Sequence, residues 1–481
     1  MAELPQNWIE IKLKHLIKFV IGGDWGTEKP SISNSERVAV IRGTDYKYWN
    51  KIRAKEAAIR YVKKSSLEKR QLNIGDIVLE ISGGGPTQPV ARTIVIDKYA
   101  IESNKCNLIC SNFFRKISLK PSINPAYLNF YCQYAHKIGL FNDFQTQTTN
   151  LRNLNFNDFI NNVFIPIPPE NEQFKIINKL DKIISKIDNV NARLDNIPTA
   201  LKRARQSILN QAITGELTKD WRKKNLNIIP ASIMIEQFKQ LLIESSSKNE
   251  RDNINNIFSY KENYFSFDIP HTWTFSILEK LCKSFKYGTS TKSESSGLVP
   301  VLRMGNIQKG EIDWNDLVYT SDSKEIEKYK LEKNDVLFNR TNSPELVGKT
   351  AIYRGERAAI YAGYLIKIEN YKILNSEYLN YALNSTFAKE WKLDVKTDGV
   401  SQSNINAQKL AKFEVPLPPL EEQAEIVRRV KLAFEKLDKI ELRYQKAKEY
   451  SDKLTQSILN KAFRGELVPQ DPNDKPVEIE V

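Results

Sequence analysis

Histidine and cysteine are scarce in this 481-residue chain, three and four respectively. Four cysteines over such a length do not make a disulfide framework. Cys106, Cys110, Cys132 and His136 have a zinc-like spacing, but Cys106 to Cys110 reads as strand. Residues four apart in a strand stand about 13 Å from each other, too far for one ion to bridge. The second half has no counterpart cysteines, so buried free thiols and no metal are expected. No run of 18 apolar residues exists, which excludes a membrane-spanning helix. The start, Met1 to Glu10, lacks the basic-then-apolar pattern of a signal peptide, so a cytoplasmic chain is expected.

Catalytic signatures are missing as well. A base-flipping adenine methyltransferase needs Asn or Asp before Pro-Pro-Tyr/Phe. Here Pro168-Pro169 and Pro418-Pro419 follow Ile167 and Leu417 and precede Glu170 and Leu420. Gly348-Lys349-Thr350 resembles the tail of a P-loop, but Ser343 stands where the first glycine belongs. Gly83-Gly84-Gly85 has no helix-opening Lys-Ser/Thr after it. Nuclease-like triplets occur at Glu10-Ile11-Lys12 and Glu390-Trp391-Lys392, yet the chain has no Pro-Asp pair to complete them. No catalytic residue and no cofactor is expected.

What is present is positive charge and a repeat. The net charge is +14, and its distribution is uneven. Residues 1–230 hold 35 Lys and Arg against 21 Asp and Glu, whereas residues 231–481 hold 37 of each. Such a balance suits a polyanionic partner, although general solubility would explain it too. Residues 166–217 align with 416–467 at a constant offset of 250, without a gap. Pro166-Ile167-Pro168-Pro169 answers Pro416-Leu417-Pro418-Pro419, and Glu172-Gln173 answers Glu422-Gln423. Gln206-Ser207-Ile208-Leu209-Asn210 recurs as Gln456-Ser457-Ile458-Leu459-Asn460, and Gly215-Glu216-Leu217 as Gly465-Glu466-Leu467. Weaker echoes precede these, among them Pro5…Trp8 with Pro270…Trp273 and Gly75-Asp76 with Asn334-Asp335. Each half is thus a divergent globular part followed by a well-matched helical segment.

Apolar residues in the first helical segment fall at Ile176, Leu180, Ile183, Ile187, Val190, Leu194, Ile197, Leu201, Ala204 and Ile208. In the second they fall at Ile426, Val430, Ala433, Leu437, Ile440, Tyr444, Ala447, Leu454 and Ile458, with Ser451 filling the missing slot. Alternating steps of 4 and 3 predict a coiled-coil seam. The Pro-Pro pairs open the helices, Gly215 and Gly465 stop them, and Pro198 should kink or break the first. A helix of about 40 residues would be roughly 60 Å long. The globular parts read as mixed α/β. Strands are expected at Val38–Ile41, Asp76–Leu79 and Thr93–Ile96, and helices over 124–138 and 375–392. A short amphipathic helix from Ile233 to Ile243 is followed by a polar run, Ser245 to Asn256, that reads as linker. The expected division is 1–165, 166–222, 223–264, 265–415 and 416–481.

The strings PIPPENEQ, PLPPLEEQ, RQSILNQAITGELTKDW and TQSILNKAFRGELVPQD resemble the conserved regions of the specificity subunit of Type I restriction–modification systems. The resemblance covers essentially the whole chain, including its repeat. Asn171 departs by standing where the second copy has Glu421. The resemblance implies an α/β (α+β) fold with two target-recognition domains, 1–165 and 265–415. Two long antiparallel coiled-coil helices, 166–222 and 416–481, would join them in a pseudo-two-fold repeat. It further implies that each domain reads one half of an asymmetric bipartite site in double-stranded DNA. The partners implied are two adenine-modifying methyltransferase subunits and motor-nuclease restriction subunits, with no membrane. Half-sites about one helical turn apart, near 34 Å, would suit such a helical ruler.

Base reading needs donors such as Arg, Lys, Gln and Asn on loops. Three loop regions recur. After the first strand lie Arg42, Lys47 and Arg53, and likewise Arg303, Gln308 and Lys309. After the Gly/Asn-Asp strand lie Ser82 and Arg92, and likewise Arg340, Asn342 and Lys349. Before the Pro-Pro entrance lie Gln145, Gln147 and Arg152, and likewise Lys396, Gln402 and Asn404. Two other classes compete. A self-contained methyltransferase or nuclease would need a catalytic constellation that is missing. A purely structural coiled coil would leave the basic globular parts without a purpose.

Overall fold

The computed structural model describes residues 4–46, 49–83, 88–147, 151–265, 267–400 and 402–479. The chain forms two compact units, one of residues 1–195 with 445–481 and one of residues 196–444. Both mix strands with helices.

In the first unit the strand Glu36–Ile41 lies between Ala58–Val62, antiparallel, and Asn107–Cys110, parallel. A four-stranded antiparallel sheet runs in the order Ile17–Gly22, Phe114–Leu119, Ile77–Glu80, Thr93–Val95. A small sheet joins Ser82–Gly83 to the hairpin Gln145–Gln147 and Arg152–Leu154. The second unit repeats the plan. Val299–Leu302 pairs antiparallel with Val318–Thr320 and parallel with Ile360–Tyr361. A larger sheet places Leu365–Asn370 between Cys282–Tyr287 and Val336–Asn339. Thr341–Asn342, Ser403–Asn404 and Thr397–Asp398 make the small sheet. The runs Val38–Ile41 and Asp76–Leu79 are thus buried central strands, whereas Thr93–Val95 ends its sheet; Ile77, Val78 and Leu79 are all at most 2% exposed.

The first helical segment is broken, into Glu170–Leu194 and Ile197–Thr214. Pro198 sits in the first turn of the second piece, where its missing N–H costs nothing. The second segment is one unbroken helix, Leu420–Phe463. Helix packing is antiparallel within each unit. In the first, Ile176 and Leu180 share a core with Leu459, Ala462 and Phe463, while Asp195 meets Lys448 at 2.9 Å. In the second, Leu209 and Ile213 share a core with Ile426 and Val430, and Arg205 pairs with Asp438 and Glu441.

Three expectations need correction. Val190 and Ile440, both placed in the seam, are 51% and 44% exposed. The seam is fully buried only where a globular core covers it, as at Ile176, Leu180, Ile426 and Val430. Residues 375–392 form two helices, Ser376–Leu383 and Thr386–Val395, because the Ser385 hydroxyl caps the second by accepting from the Ala388 N–H. The polar run from Ser245 to Asn256, read as linker without a helix of its own, enters the helix Lys248–Phe258. Its start is a capping box, in which the Glu250 carboxylate accepts from the Ser247 N–H at 2.7 Å. No helix among the described residues is long and apolar enough to cross a membrane.

Candidate nucleic-acid interface

The repeated motifs turn out to seat each globular part on its helices. At the first entrance Trp8 Nε1 donates to Glu172 Oε2 at 3.0 Å; at the second Trp273 Nε1 donates to Glu422 Oε2 at 2.8 Å. The neighbouring glutamines are fully buried and act alike. Gln173 accepts from the Asn124 N–H and donates to the Pro168 carbonyl, as Gln423 does with Asn375 and Pro418. Tyr127 and Tyr378, both fully buried, donate to the carbonyls of Pro166 and Pro416. Gly465 and Gly215 have positive φ, and a Cβ on either would collide with Pro5 or Pro270 respectively. Each N-terminal Pro…Trp pair therefore closes on the helix end of its own unit.

With the scaffold fixed in this way, each unit opens a cleft at the same place. In the first, the chain leaves the strand Ile17–Gly22 through Gly23, whose N–H donates to Phe114 and whose missing Cβ lets it pass the carbonyls of Cys110 and Ser111. In the second, Gly288 passes Tyr361 and Ala362 in the same manner, and its N–H reaches Leu365. The clefts measure about 940 and 850 Å³. An arginine stands at the same corner of both. Arg42 follows Ile41, which pairs with Cys110; Arg303 follows Leu302, which pairs with Tyr361. Arg42 Nη2 donates to the Glu56 carbonyl at 2.8 Å, and Arg303 Nη2 to the Asp316 carbonyl at 2.8 Å. Across the cleft, Ser82 Oγ meets Asn153 Oδ1 at 2.6 Å, and Thr341 Oγ1 meets Asn404 Nδ2 at 2.8 Å.

The rest of the lining differs. In the first cleft Arg92 forks onto the buried Glu80, at 2.7 and 2.5 Å, and this hydrogen bonding raises the Arg92 pKa further. Trp25, Phe113 and Leu151 add partly exposed apolar surface there. In the second unit Asn339 and Lys349 occupy the places of Glu80 and Arg92, outside the cleft lining: the Asn339 N–H donates to the Lys349 carbonyl as the Glu80 N–H does to that of Arg92. Arg340 lies 4.6 Å over the Tyr287 ring, and Thr289, Ser290 and Thr291 give a polar wall.

Of the residues singled out by sequence, Arg42, Ser82 and Arg92 line the first cleft, and Arg303 and Arg340 the second. Asn342 and Asn404 lie in the small sheet that edges the second, and Gln147 and Arg152 face each other in the corresponding sheet of the first. Gln402 immediately precedes Ser403 of the second unit's small sheet, and its carbonyl accepts from the Gly399 N–H. Others serve internal bonds. Arg53 is paired with Asp97 at 2.7 Å, and Gln145 is locked to Val90 and the Phe141 carbonyl. Gln308 accepts from Lys349, Lys309 reaches Glu441 at 3.1 Å, and Lys396 pairs with Asp398. Lys47, Gly84 and Gly85 lie outside the described residues. Among the described residues no group of three or more His, Cys, Asp or Glu is placed to hold a metal. Cys110 is a buried thiol, pushed up to about 12 by burial.

Residues 5–199 and 270–449 match the family described as Type I restriction modification DNA specificity domain. The chain belongs to this family. It is similar to the EcoKI specificity subunit of Escherichia coli K12, with 33% identity over 318 residues, 65% of this chain and 59% of that one. The alignment thus spans less than two thirds of that relative. The fold is shared with the HsdS subunit from Thermoanaerobacter tengcongensis, at a TM-score of 0.51 and 17% identity over 97% of this chain and 99% of that one. A chain from a structure concerned with complex assembly and conformational transition of the type I R-M system matches with a TM-score of 0.61. Its identity is also 17%, over 97% of this chain and all of that one.

As a specificity-domain protein, the chain has cleft residues that donor-type reasoning passed over. Trp25, Phe113, Tyr287 and Tyr364 are aromatic, and a search for hydrogen-bond donors does not find them. Asn153 was legible in principle, because it stands 251 positions before Asn404, close to the offset of the helical repeat.

Proposed function

We propose that the chain is the DNA sequence-specificity subunit of a Type I restriction–modification complex. Each domain, 1–165 and 265–415, reads one half of an asymmetric bipartite site. The chain directs adenine methylation by partner methyltransferase subunits and cleavage by restriction subunits, and has no catalysis of its own. The observation that carries this reading is the pair of clefts. They occupy the same place on the same scaffold and share an arginine and a hydroxyl–asparagine pair, yet are otherwise lined by different side chains. That is the arrangement two readers of unlike sequences require, since backbone contacts position a protein and base contacts specify. The clefts are open and basic-edged, as a groove-sized ligand demands.

The test is methyl transfer in vitro. The purified chain alone leaves DNA unmethylated, whereas the chain mixed with its modification subunit methylates adenine in a single two-part motif. Methylation by the isolated chain, or none with the partner present, would overturn the reading.

A further inference from the structure

The two clefts share some groups and differ in others. Resting on the reading of two domains that read unlike half-sites, identical groups at identical places cannot carry the difference in sequence. What both half-sites do share is the sugar–phosphate backbone. Arg42 and Arg303 are such a pair. Each follows the strand that runs parallel to its neighbour, each is 38% exposed, and each donates Nη2 to a main-chain carbonyl. The bonds to Asp45 and Glu56, or to Asp316, employ Nε or Nη2 and never Nη1.

Arg340 is the opposite case. Its counterpart is Ile81, by the matched bonds of both residues. The Ile81 N–H donates to Phe113 and its carbonyl accepts from Leu154; the Arg340 N–H donates to Tyr364 and its carbonyl accepts from Ile405. An arginine that lines the second cleft thus stands where the first unit has an isoleucine packed against its core. Its guanidinium carbon lies over Tyr287, 4.6 Å from the ring centroid, and its Nε is buried without a hydrogen-bond partner among the described residues. The main-chain bonds fix the backbone at Arg340 and the Tyr287 ring braces its side chain, while among the described residues its donors stay uncommitted. A planar fork held rigid in this way matches the O6 and N7 edge of guanine.

We propose that Arg42 and Arg303 each hold a phosphate of their half-site, and that Arg340 reads a guanine in the half-site of the second unit. Phosphate contacts tolerate lysine, which carries the charge; a bidentate guanine contact does not.

The experiment compares R42A, R42K, R303A, R340A, R340K and R340Q in the full chain with its modification subunit. Methylated motifs are mapped by sequencing, and binding to a duplex carrying the wild-type motif is measured against salt. R42A and R303A should keep the motif, weaken binding, and lower the slope of log K against log salt by about 1. R42K should restore most of the affinity. R340A, R340K and R340Q should lose discrimination at one G·C pair, by roughly 5- to 150-fold, with the other half of the motif untouched. A change of motif in R42A or R303A, or an unchanged motif in all three Arg340 variants, overturns the assignment. A wild-type chain that selects no motif would overturn the functional reading itself.

Discussion

The two seating motifs are the same in sequence but not in charge, and this has a measurable consequence. Glu422 is fully buried, and Arg222, 15% exposed, binds it directly along with Trp273 and Thr218. Glu172 is 2% exposed, but its partners are neutral: Trp8 Nε1 at 3.0 Å and Gln470 Nε2 at 2.6 Å. Replacing one member of a buried ion pair costs about 3–5 kcal/mol, because the other charge is left without its partner. Arg222 keeps its bond to the Gly215 carbonyl, at 2.6 Å, which places E422Q near the lower end, about 3 kcal/mol. E172Q strands no charge and should cost about 1 kcal/mol or less. Burial also raises the Glu172 carboxyl above its ordinary value, so the folded chain binds its proton more readily than the unfolded one. Stability from this group therefore falls as pH rises through the window above 4.5, and E172Q should remove that fall. The assay is a double-mutant cycle in urea, pairing Glu422 with Arg222 and Glu172 with Gln470, read by the fluorescence of Trp273 and Trp8. Coupling of about 2–3 kcal/mol is expected in the first cycle and under about 1 in the second. Equal coupling in both would refute the argument.

Other perturbations test the scaffold. G288A and G23A push a Cβ into main-chain carbonyls and should each cost about 1–3 kcal/mol, seen as a lowered urea midpoint; an unchanged midpoint would show that the strand passes with room to spare. Lys392 is buried, donates to the carbonyls of Gly348 and Leu383, and is lowered by burial to about 7 from 10.5. Between those values the unfolded chain holds a proton that the folded chain lacks, so stability should rise from pH 7 toward pH 10. K392M should flatten that rise, and a variant that retains it would place the titrating group elsewhere.

How much was legible in the sequence depended on which forces the sequence records. The helical repeat was readable because steps of 4 and 3 are a local property, and Pro198 and Gly215 mark its breaks by backbone geometry alone. The exposure of Val190 and Ile440 was not readable, since periodicity names a face without saying what covers it. The helix Lys248–Phe258 was missed because its stretch is polar; its Ser247…Glu250 capping box was the available signal. At the clefts, residue type singled out Arg42, Arg92, Arg303 and Arg340, but could not separate them from Arg53 and Lys309, which lie outside the cleft linings and pair with Asp97 and Glu441. Those partners lie 44 and 132 positions away, and only the fold brings them together.

Exchange of the first domain tests the central claim most directly. Residues 1–160 are replaced by the corresponding segment of another family member, and the chimaera is expressed with the modification subunit in a host lacking adenine methylation. The methylated motif is then read by sequencing the whole genome. Two independent clefts predict a motif in which one half is new and the other half is the wild-type half, base for base. A motif in which both halves change together would contradict the account.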